Sequence, residues 1–105
     1  MIKLPNDQKI YSLLGLAQRS GRVKSGVFLS RQAILKKKAK LIIIAENAAR
    51  NTFEQIMILC KRYDVPVFIY GTKENLGRCI GKGERSVVCV LDKGFAAAIS
   101  RAIKG

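Results

Sequence analysis

Residues 41–45, Leu-Ile-Ile-Ile-Ala, form an apolar run without a polar residue, and three of the five are β-branched. A short run of this kind is typical of a central strand that is buried on both faces. A strand covered on both faces needs helices on each side of its sheet. The stretch therefore predicts an α/β fold.

Two helices are predicted before this strand. The first follows the capping residues Asn6-Asp7 and ends at about Ser20. Its apolar residues recur at helical spacing: Ile10, Leu13, Leu14 and Ala17. After a short extended segment, Val23 to Ser25, the second helix begins at Ser25-Gly26 and closes in the basic run Lys36 to Lys38. Cations at that end suit the negative end of the helix dipole.

Helices and strands continue to alternate after residue 45. Asn51 with Glu54 three residues later resembles a capping box and predicts a third helix. Further strands are predicted at Val67 to Tyr70 and Val87 to Leu91, with a short helix capped by Thr72 between them. A last helix follows Gly94. The 105 residues fit one domain, which we expect to be an α/β sandwich with helices on both sides of a small sheet.

The charge balance indicates a polyanionic partner. Twenty Lys and Arg against seven Asp and Glu give a formal net charge of +13, and no acidic residue occurs between Asp7 and Glu46. A surface tuned only for solubility usually mixes both signs, so nucleic acid is favoured over that alternative. An anionic membrane is disfavoured because its basic amphipathic helix would expose bulky apolar residues, which are assigned here to a core.

Export, membrane insertion and metal binding are not expected. No apolar run approaches the roughly 18 to 20 residues of a membrane helix, and the N-terminal residues lack the pattern of a signal peptide. Cys60, Cys79 and Cys89 are widely spaced and the chain has no histidine, so a single-chain zinc site lacks ligands. We expect three small buried thiols in a reducing cytoplasm, and no cofactor.

Catalysis is also disfavoured. The absence of histidine removes the commonest general base, and the carboxylates are scattered along the sequence. The segment from Gly77 to Lys82 suggests a phosphate loop, but it follows a predicted helix, leads into a strand and has Gly83 where Ser or Thr would hold magnesium. We therefore expect a binding protein and not an enzyme.

The start of the second helix is the strongest candidate for RNA contact. A helix N-terminus offers unpaired N–H groups and a positive dipole end to phosphate. Gly26 has no side chain to hinder a polyanion, although taken alone it could be a simple turn glycine. Gln32 can donate to and accept from base edges. The candidate residues around this point are Arg22, Lys24, Ser25, Gly26, Arg31 and Gln32.

Together these segments resemble the kink-turn-binding ribosomal proteins, the family of the archaeal large-subunit protein 7Ae and the eukaryotic large-subunit protein 30e. The resemblance rests on Val23 to Gly26, Lys38 to Ala48, Val65 to Val67 and Leu76 to Gly81, and it extends from about Ile10 to Ile103. The segments at 13–17 and 92–96 are similar to the bacterial YlxQ-like branch.

The resemblance implies a three-layer α/β/α sandwich around a mixed four-stranded sheet. In the family, the N-terminus of the second helix enters the kink and reads sheared G·A pairs, while the loop before the last strand packs against flipped-out bases. Carried over to this chain, it adds Glu46 and Asn47 after the central strand, and Arg78, Lys82 and Arg85 around the second contact loop. Phosphate contacts are expected from the following residues: Arg22, Lys24, Arg31, Lys36, Lys37 and Lys40.

The chain departs from the family at the residues that read guanine. Binders usually have a polar pair two and three positions after the glycine, where this chain has Phe28 and Leu29. Gln32 lies where lysine is common, and the contact loop, usually apolar, is Lys82 to Ser86. Phe28 could instead stack on a base, worth about 1–3 kcal/mol. The alternative, favoured for at least one of Phe28 and Leu29, is a place in the core.

The sequence thus favours a non-catalytic, ribosomal-protein-like RNA-binding domain spanning residues 1–105. Its expected partner is ribosomal or other structured RNA, including the kink-turn, in the translation apparatus. A monomer is expected, with the ribosome or other proteins as further partners and no membrane. The alternatives are a protein-interaction module on the same scaffold and purely electrostatic RNA binding that is independent of the kink.

Overall fold

Helices and strands alternate along residues 5–105, the part of the chain that the computed structural model describes. The elements are α1 (Pro5–Arg19), β1 (Val23–Ser25), α2 (Val27–Leu35), β2 (Leu41–Ile44), α3 (Arg50–Tyr63), β3 (Val67–Ile69), α4 (Lys73–Cys79), β4 (Val87–Val90) and α5 (Lys93–Lys104). The alternation predicted from the sequence is confirmed.

The four strands form one mixed sheet in the order β1-β4-β2-β3. β2 pairs antiparallel with β4, with Ile42 opposite Cys89, and parallel with β3, with Ile43 opposite Phe68. Every residue of β2 and β4 is buried. The run at 41–45 therefore lies at the centre of the sheet, as its unbroken apolar character predicted.

Two apolar cores lie on opposite faces of this sheet. One joins Ile43 to side chains of α1, α4 and α5, such as Ile99. The other joins Ile42 to side chains of α2 and α3, such as Ile34 and Ile56. Successive residues of a strand point to opposite faces, so β2 supplies both cores. The three-layer α/β/α sandwich is confirmed.

The predicted helix starts are confirmed in part. Thr72 caps α4, since its hydroxyl accepts from the Asn75 N–H over 3.1 Å. α5 begins one residue before Gly94 and is capped by Asp92, which accepts from the Phe95 N–H over 2.8 Å. Gly94 suggested a boundary there, but the carboxylate of Asp92, two residues earlier, provides the cap.

Two predicted caps are wrong. α1 begins at Pro5, so Asn6 and Asp7 lie inside its first turn; Asp7 accepts a hydrogen bond from the Tyr70 hydroxyl. α3 begins after Ala49 without a side-chain cap, so Asn51 and Glu54 form no capping box. Glu54 instead pairs with Arg50 over 3.1 Å, one turn earlier on the same helix.

The three cysteines are free, with Cys60 and Cys89 buried and Cys79 half-buried. Burial raises the pKa of the Cys60 and Cys79 thiols to about 11, and that of Cys89 to about 12. The buried-thiol prediction is confirmed for two of the three. Residues 5–105 contain no helix with the length and apolarity to cross a membrane, and no group of three or more potential metal ligands.

Candidate nucleic-acid interface

A groove of about 400 Å³ separates the start of α2 from the loop that precedes β4. Ser25, Gly26 and Phe28 line the helix side, while Glu84 and Arg85 line the loop side. Four of the predicted site residues, Ser25, Gly26, Phe28 and Arg85, therefore meet in one place, although Arg85 lies 57 positions after Phe28 in the sequence.

Strand pairing brings the two sides of the groove together. β1 ends at Ser25 opposite Val88 of β4, and the next N–H, of Gly26, donates to the Val87 carbonyl over 2.9 Å. The chain that enters β4 must therefore pass beside the chain that enters α2. The resemblance had implied this neighbourhood, and the antiparallel register provides its physical cause.

Gly26 is a turn glycine with a φ of 90°, a conformation that L side chains rarely adopt. A Cβ at this position would have no atom within 4 Å. The backbone conformation, and not crowding, therefore requires glycine here. The open space beside Gly26 also leaves room for a close approach by the backbone of a partner.

The first turn of α2 has no internal group that would satisfy its N–H donors. Gly26 is the N-cap and supplies no side-chain hydrogen bond, and the first turn contains no acidic residue. The Ser30 N–H donates to the Gly26 carbonyl over 3.1 Å and is the first N–H of the helix to find an acceptor within it. The N–H groups of the three residues before Ser30 therefore have no acceptor within the helix. Those three donors and the positive dipole end are suited to an anion.

Phe28 and Leu29 are both exposed, at 65% and 41%, so the expectation that at least one belongs to the core is wrong. The buried residues of α2 are Ser30, Ala33 and Ile34. Because helix positions repeat every 3.6 residues, this spacing turns residues 28 and 29 away from the sheet. The Phe28 ring is the largest apolar surface beside the groove and is available for stacking.

The loop before β4 is held rigidly by Arg85. Its Nε donates to the Ser25 hydroxyl over 3.1 Å, and its Nη1 donates to the Glu84 carbonyl over 2.9 Å. The Arg85 backbone N–H donates to the Lys73 carbonyl over 3.0 Å, which ties the loop to α4. The Arg85 guanidinium is thus oriented by hydrogen bonds to the end of β1 and to the loop itself.

The remaining predicted cations do not all lie at this groove. Lys24, Gln32 and Lys36 line a hollow of about 240 Å³ farther along α2. Lys37 and Lys40 line a cleft of about 630 Å³ beyond the end of the helix. The nine residues of α2 span about 14 Å at 1.5 Å per residue, so the predicted set is spread over the length of the helix.

The resemblance implied Glu46 and Asn47, which follow β2 in the chain. Hydrogen bonds join them to the start of α4 and to the turn before it. The Asn47 amide oxygen accepts from the Lys73 N–H over 2.8 Å, and its amide group donates to Glu74 over 3.0 Å. That hydrogen bond lowers the pKa of the Glu74 carboxyl. The Glu46 N–H donates to the Gly71 carbonyl over 2.7 Å. These contacts give Asn47 a structural role, with one N–H and one lone pair of its amide left.

Arg78, Lys82, Arg22 and Arg31 are exposed. Arg78 donates to the Asn75 side chain over 3.0 Å, within α4. Lys82 lies in the contact loop, Arg22 in the turn before β1 and Arg31 on α2. Lys82 and Arg22 thus lie in a loop and a turn, while Arg78 belongs to the helix that precedes the contact loop.

Sequence reasoning missed Arg62 and Tyr63, which line the large cleft with Lys37 and Lys40. They come from the end of α3, and no local motif connects them to the basic run after α2. Among the described residues, the ion pairs join Arg50 to Glu54 and Lys73 to Glu84. Within residues 5–105, the cations of the groove, the hollow and the cleft thus have no carboxylate within 4.0 Å.

Comparison with curated proteins gives relatives over most of the chain. An RNA-binding protein YlxQ of Bacillus subtilis (strain 168) is 42% identical over 86 residues, covering 82% of this chain and 86% of the relative. The YlxQ of Enterococcus faecium is 34% identical and covers 95% of this chain and 96% of its own. The large ribosomal subunit protein eL8 of Cenarchaeum symbiosum (strain A) is 31% identical, covering 86% of this chain and 72% of the relative.

Solved structures agree with the fold. A protein of unknown function from Bacillus halodurans C superposes with a TM-score of 0.89 at 34% identity, covering 92% of this chain and 98% of the other. The 15.5kD RNA binding protein of Giardia lamblia has a TM-score of 0.78 at 18% identity, with coverage of 99% and 89%; at that identity the likeness shows the fold alone.

The sequence pattern of one protein family matches residues 8–100, nearly the whole chain. Its extent agrees with the resemblance described above from about Ile10 to Ile103. The chain belongs to the Ribosomal protein L7Ae/L30e/S12e/Gadd45 family.

Proposed function

We propose that this protein binds structured RNA, without catalysis, in the groove between the start of α2 and the loop before β4. The observation that supports this most directly is the coincidence, in one groove, of free helix N–H donors, an oriented guanidinium and an exposed aromatic ring. Two relatives that are named RNA-binding proteins, at 42% and 34% identity, support the same partner.

The groove offers two kinds of contact to RNA. The N–H groups after Gly26 and the guanidinium of Arg85 suit phosphate oxygens, which set position but not sequence. The Phe28 ring suits an unstacked base, since every base has a π-face. A bent or looped RNA presents both features together, whereas a regular duplex keeps its bases stacked. We therefore propose bent RNA, with the kink-turn as the first case to test.

The proposed recognition differs from the guanine reading implied by the resemblance. Phe28 and Leu29 have no side-chain hydrogen-bonding group, so the usual pair cannot read guanine edges here. Stacking on Phe28 would give preference for an unpaired nucleotide with little preference among bases.

A titration of a kink-turn RNA and a matched duplex at two salt concentrations tests the proposal. We expect the kink-turn to bind better than the duplex and to keep that preference at the higher salt. Phe28→Ala should weaken kink-turn binding roughly 5- to 150-fold, the equivalent of about 1–3 kcal/mol for one stacked base, and leave duplex binding unchanged.

The matched control is Ile58→Ala on α3, which removes an apolar side chain that is 60% exposed. It should leave both affinities unchanged. Equal binding to both RNAs that disappears with salt would replace the proposal by purely electrostatic binding. Binding to neither would favour a protein-interaction module, whose partner would cover the exposed Phe28 and Leu29.

The proposed setting is a monomer in the cytoplasm, acting with the translation apparatus. The three free thiols fit a reducing compartment. The eL8 relative, a large ribosomal subunit protein, supports the link to translation. Sedimentation of the protein with ribosomal fractions at low and high salt would test that link.

A further inference from the structure

The cleft is larger than the groove and the hollow, and it lies at the C-terminal ends of α2 and α3, away from the groove. It measures about 630 Å³ and is lined by Lys37, Lys40, Arg62, Tyr63 and Asp64, among others. Three cations therefore face one carboxylate. The cations have no carboxylate within 4.0 Å among the described residues, so their charge is available to a partner.

The C-terminal ends of α2 and α3 bring about half a negative charge each, and together with Asp64 they offset part, but not all, of the charge of the three cations. Backbone N–H groups satisfy some of the exposed carbonyls at these two helix ends. At α2, the N–H groups of Lys36, Lys37 and Lys38 donate to the carbonyls of Gln32, Ile34 and Ala33 over 2.9–3.0 Å. At α3, the Val65 N–H donates to the Cys60 carbonyl over 2.9 Å.

Lys37 occupies a position that favours glycine. Its φ is 60°, the left-handed conformation that commonly follows a helix end. A lysine is strained in this conformation, and Lys37 lines the cleft. Asp64, at the end of α3, has a φ of 57°, but an aspartate adopts that conformation more readily.

Further cations lie along α2, in the hollow that adjoins the groove at Leu29. The hollow is lined by Lys24, Gln32, Lys36 and Lys38. The groove and the cleft are separated by the length of α2, about 14 Å for nine residues. An RNA held at the start of α2 can therefore reach the cleft only if its chain continues beyond the part that lies in the groove.

We propose that this cleft is a second phosphate-binding surface, which contacts the backbone of the RNA segment flanking the element held in the groove. The inference rests on the proposed function. Lys37, Lys40 and Arg62 bind phosphate oxygens there, without reading sequence. The site gives the basic residues beyond the end of α2 a defined place in RNA binding.

The test compares a short RNA, containing only the bent element, with a longer one that extends one flanking stem. For the longer RNA, Lys40→Ala with Arg62→Ala should lower the slope of log affinity against log salt by about two units. Between about 50 and 200 mM salt this is roughly a tenfold smaller loss of affinity. Binding of the short RNA should be unchanged.

The matched control is Arg101→Ala with Lys104→Ala, which removes two exposed charges from the last turn of α5. It should affect both RNAs equally and weakly. An equal loss for the control pair, or for the short RNA, would overturn the cleft assignment. So would a lower melting temperature without any change in binding, since the cations would then serve only the helix ends.

A second measurement uses the unmodified protein. The longer RNA should reduce acetylation of the Lys37 and Lys40 amines several-fold in mass spectrometry, while Lys104 stays reactive. Protection by the short RNA, or no protection, contradicts the proposal. If the unmodified protein binds neither RNA, the proposed function fails, and that result is distinct from loss of the cleft contact alone.

Discussion

At the scale of single residues, Gly77 determines how closely the contact loop packs on α4. A Cβ at Gly77 would lie 1.9 Å from the Gly83 carbonyl oxygen and 2.7 Å from its carbon, both backbone atoms that cannot move without shifting the loop. Hydrogen bonds confirm the close packing, because the Lys82 N–H donates to the Gly77 carbonyl over 2.9 Å. Gly77 thus belongs to the support of the loop and not to a phosphate loop.

Gly77→Ala should lower the free energy of unfolding by about 1–3 kcal/mol, the usual cost of forcing an extra group into a packed site. Urea denaturation would measure it. Gly83→Ala is the control, because a Cβ there meets only the Arg85 guanidinium at 4.0 Å. Equal stability of the two variants would mean that the loop does not pack on α4 as described.

At the scale of elements, different residues of α2 serve the stability of the fold and the binding of RNA. Its buried stripe of Ser30, Ala33 and Ile34 packs against the sheet and α3, while its first turn exposes Phe28 and Leu29 and lacks an acidic residue. A helix that served stability alone would gain from an acid in that turn. The absence of one is consistent with a helix start that is kept free for an anion.

Leu29→Glu should therefore change stability and binding in opposite directions. A carboxylate in the first turn stabilises a helix by about 0.3–1 kcal/mol, but it repels phosphate and should weaken RNA binding at least tenfold. Thermal unfolding and RNA titration of the same preparation would measure both effects.

Leu35→Glu makes the same change of charge at the opposite end of α2, where the side chain is 44% exposed. We expect a lower melting temperature, because a negative charge opposes the dipole there, and a smaller loss of binding. If both variants weaken binding equally, net charge and not the helix start governs the interaction.

At the scale of the whole molecule, burial of the thiols makes stability depend on pH. Cys60 and Cys89 are 2% and 0% exposed in the core between the sheet and the α2–α3 layer. Burial raises their pKa values to about 11 and about 12, so the folded protein keeps these protons where the unfolded chain loses them, above about pH 8.5. The free energy of unfolding therefore falls as the pH rises, because only the unfolded chain releases these protons.

The free energy of unfolding should fall above about pH 9, by up to about 1.4 kcal/mol per buried thiol per pH unit. Urea denaturation at about pH 7, 9 and 10 would measure the slope. Cys60→Ala with Cys89→Ala should be less stable at pH 7 but should lose the larger part of the slope that the thiols contribute, while Cys79, whose pKa burial also raises to about 11, keeps the rest. An unchanged slope would assign the pH dependence to other groups.

Local sequence patterns predicted the elements well and their ends less well. The apolar run at 41–45 predicted a buried central strand because only such a strand can hide five successive apolar side chains. The predicted cap at Thr72 was confirmed, while Asn51 and Glu54 formed none. Whether a residue caps a helix depends on where the helix begins. That position depends on the path of the chain after the preceding strand, which the local sequence does not determine.

By itself, the sequence determined the α/β class, the central strand and an excess of unneutralised positive charge. Only the tertiary structure decided which residues share a site. Strand pairing brings Arg85 beside Ser25, and the packing of α2 on α3 brings Arg62 beside Lys37. Periodicity and charge act over neighbouring residues and are therefore visible in the sequence. Contacts across the sheet and between helices depend on register and packing, which the folded chain alone fixes.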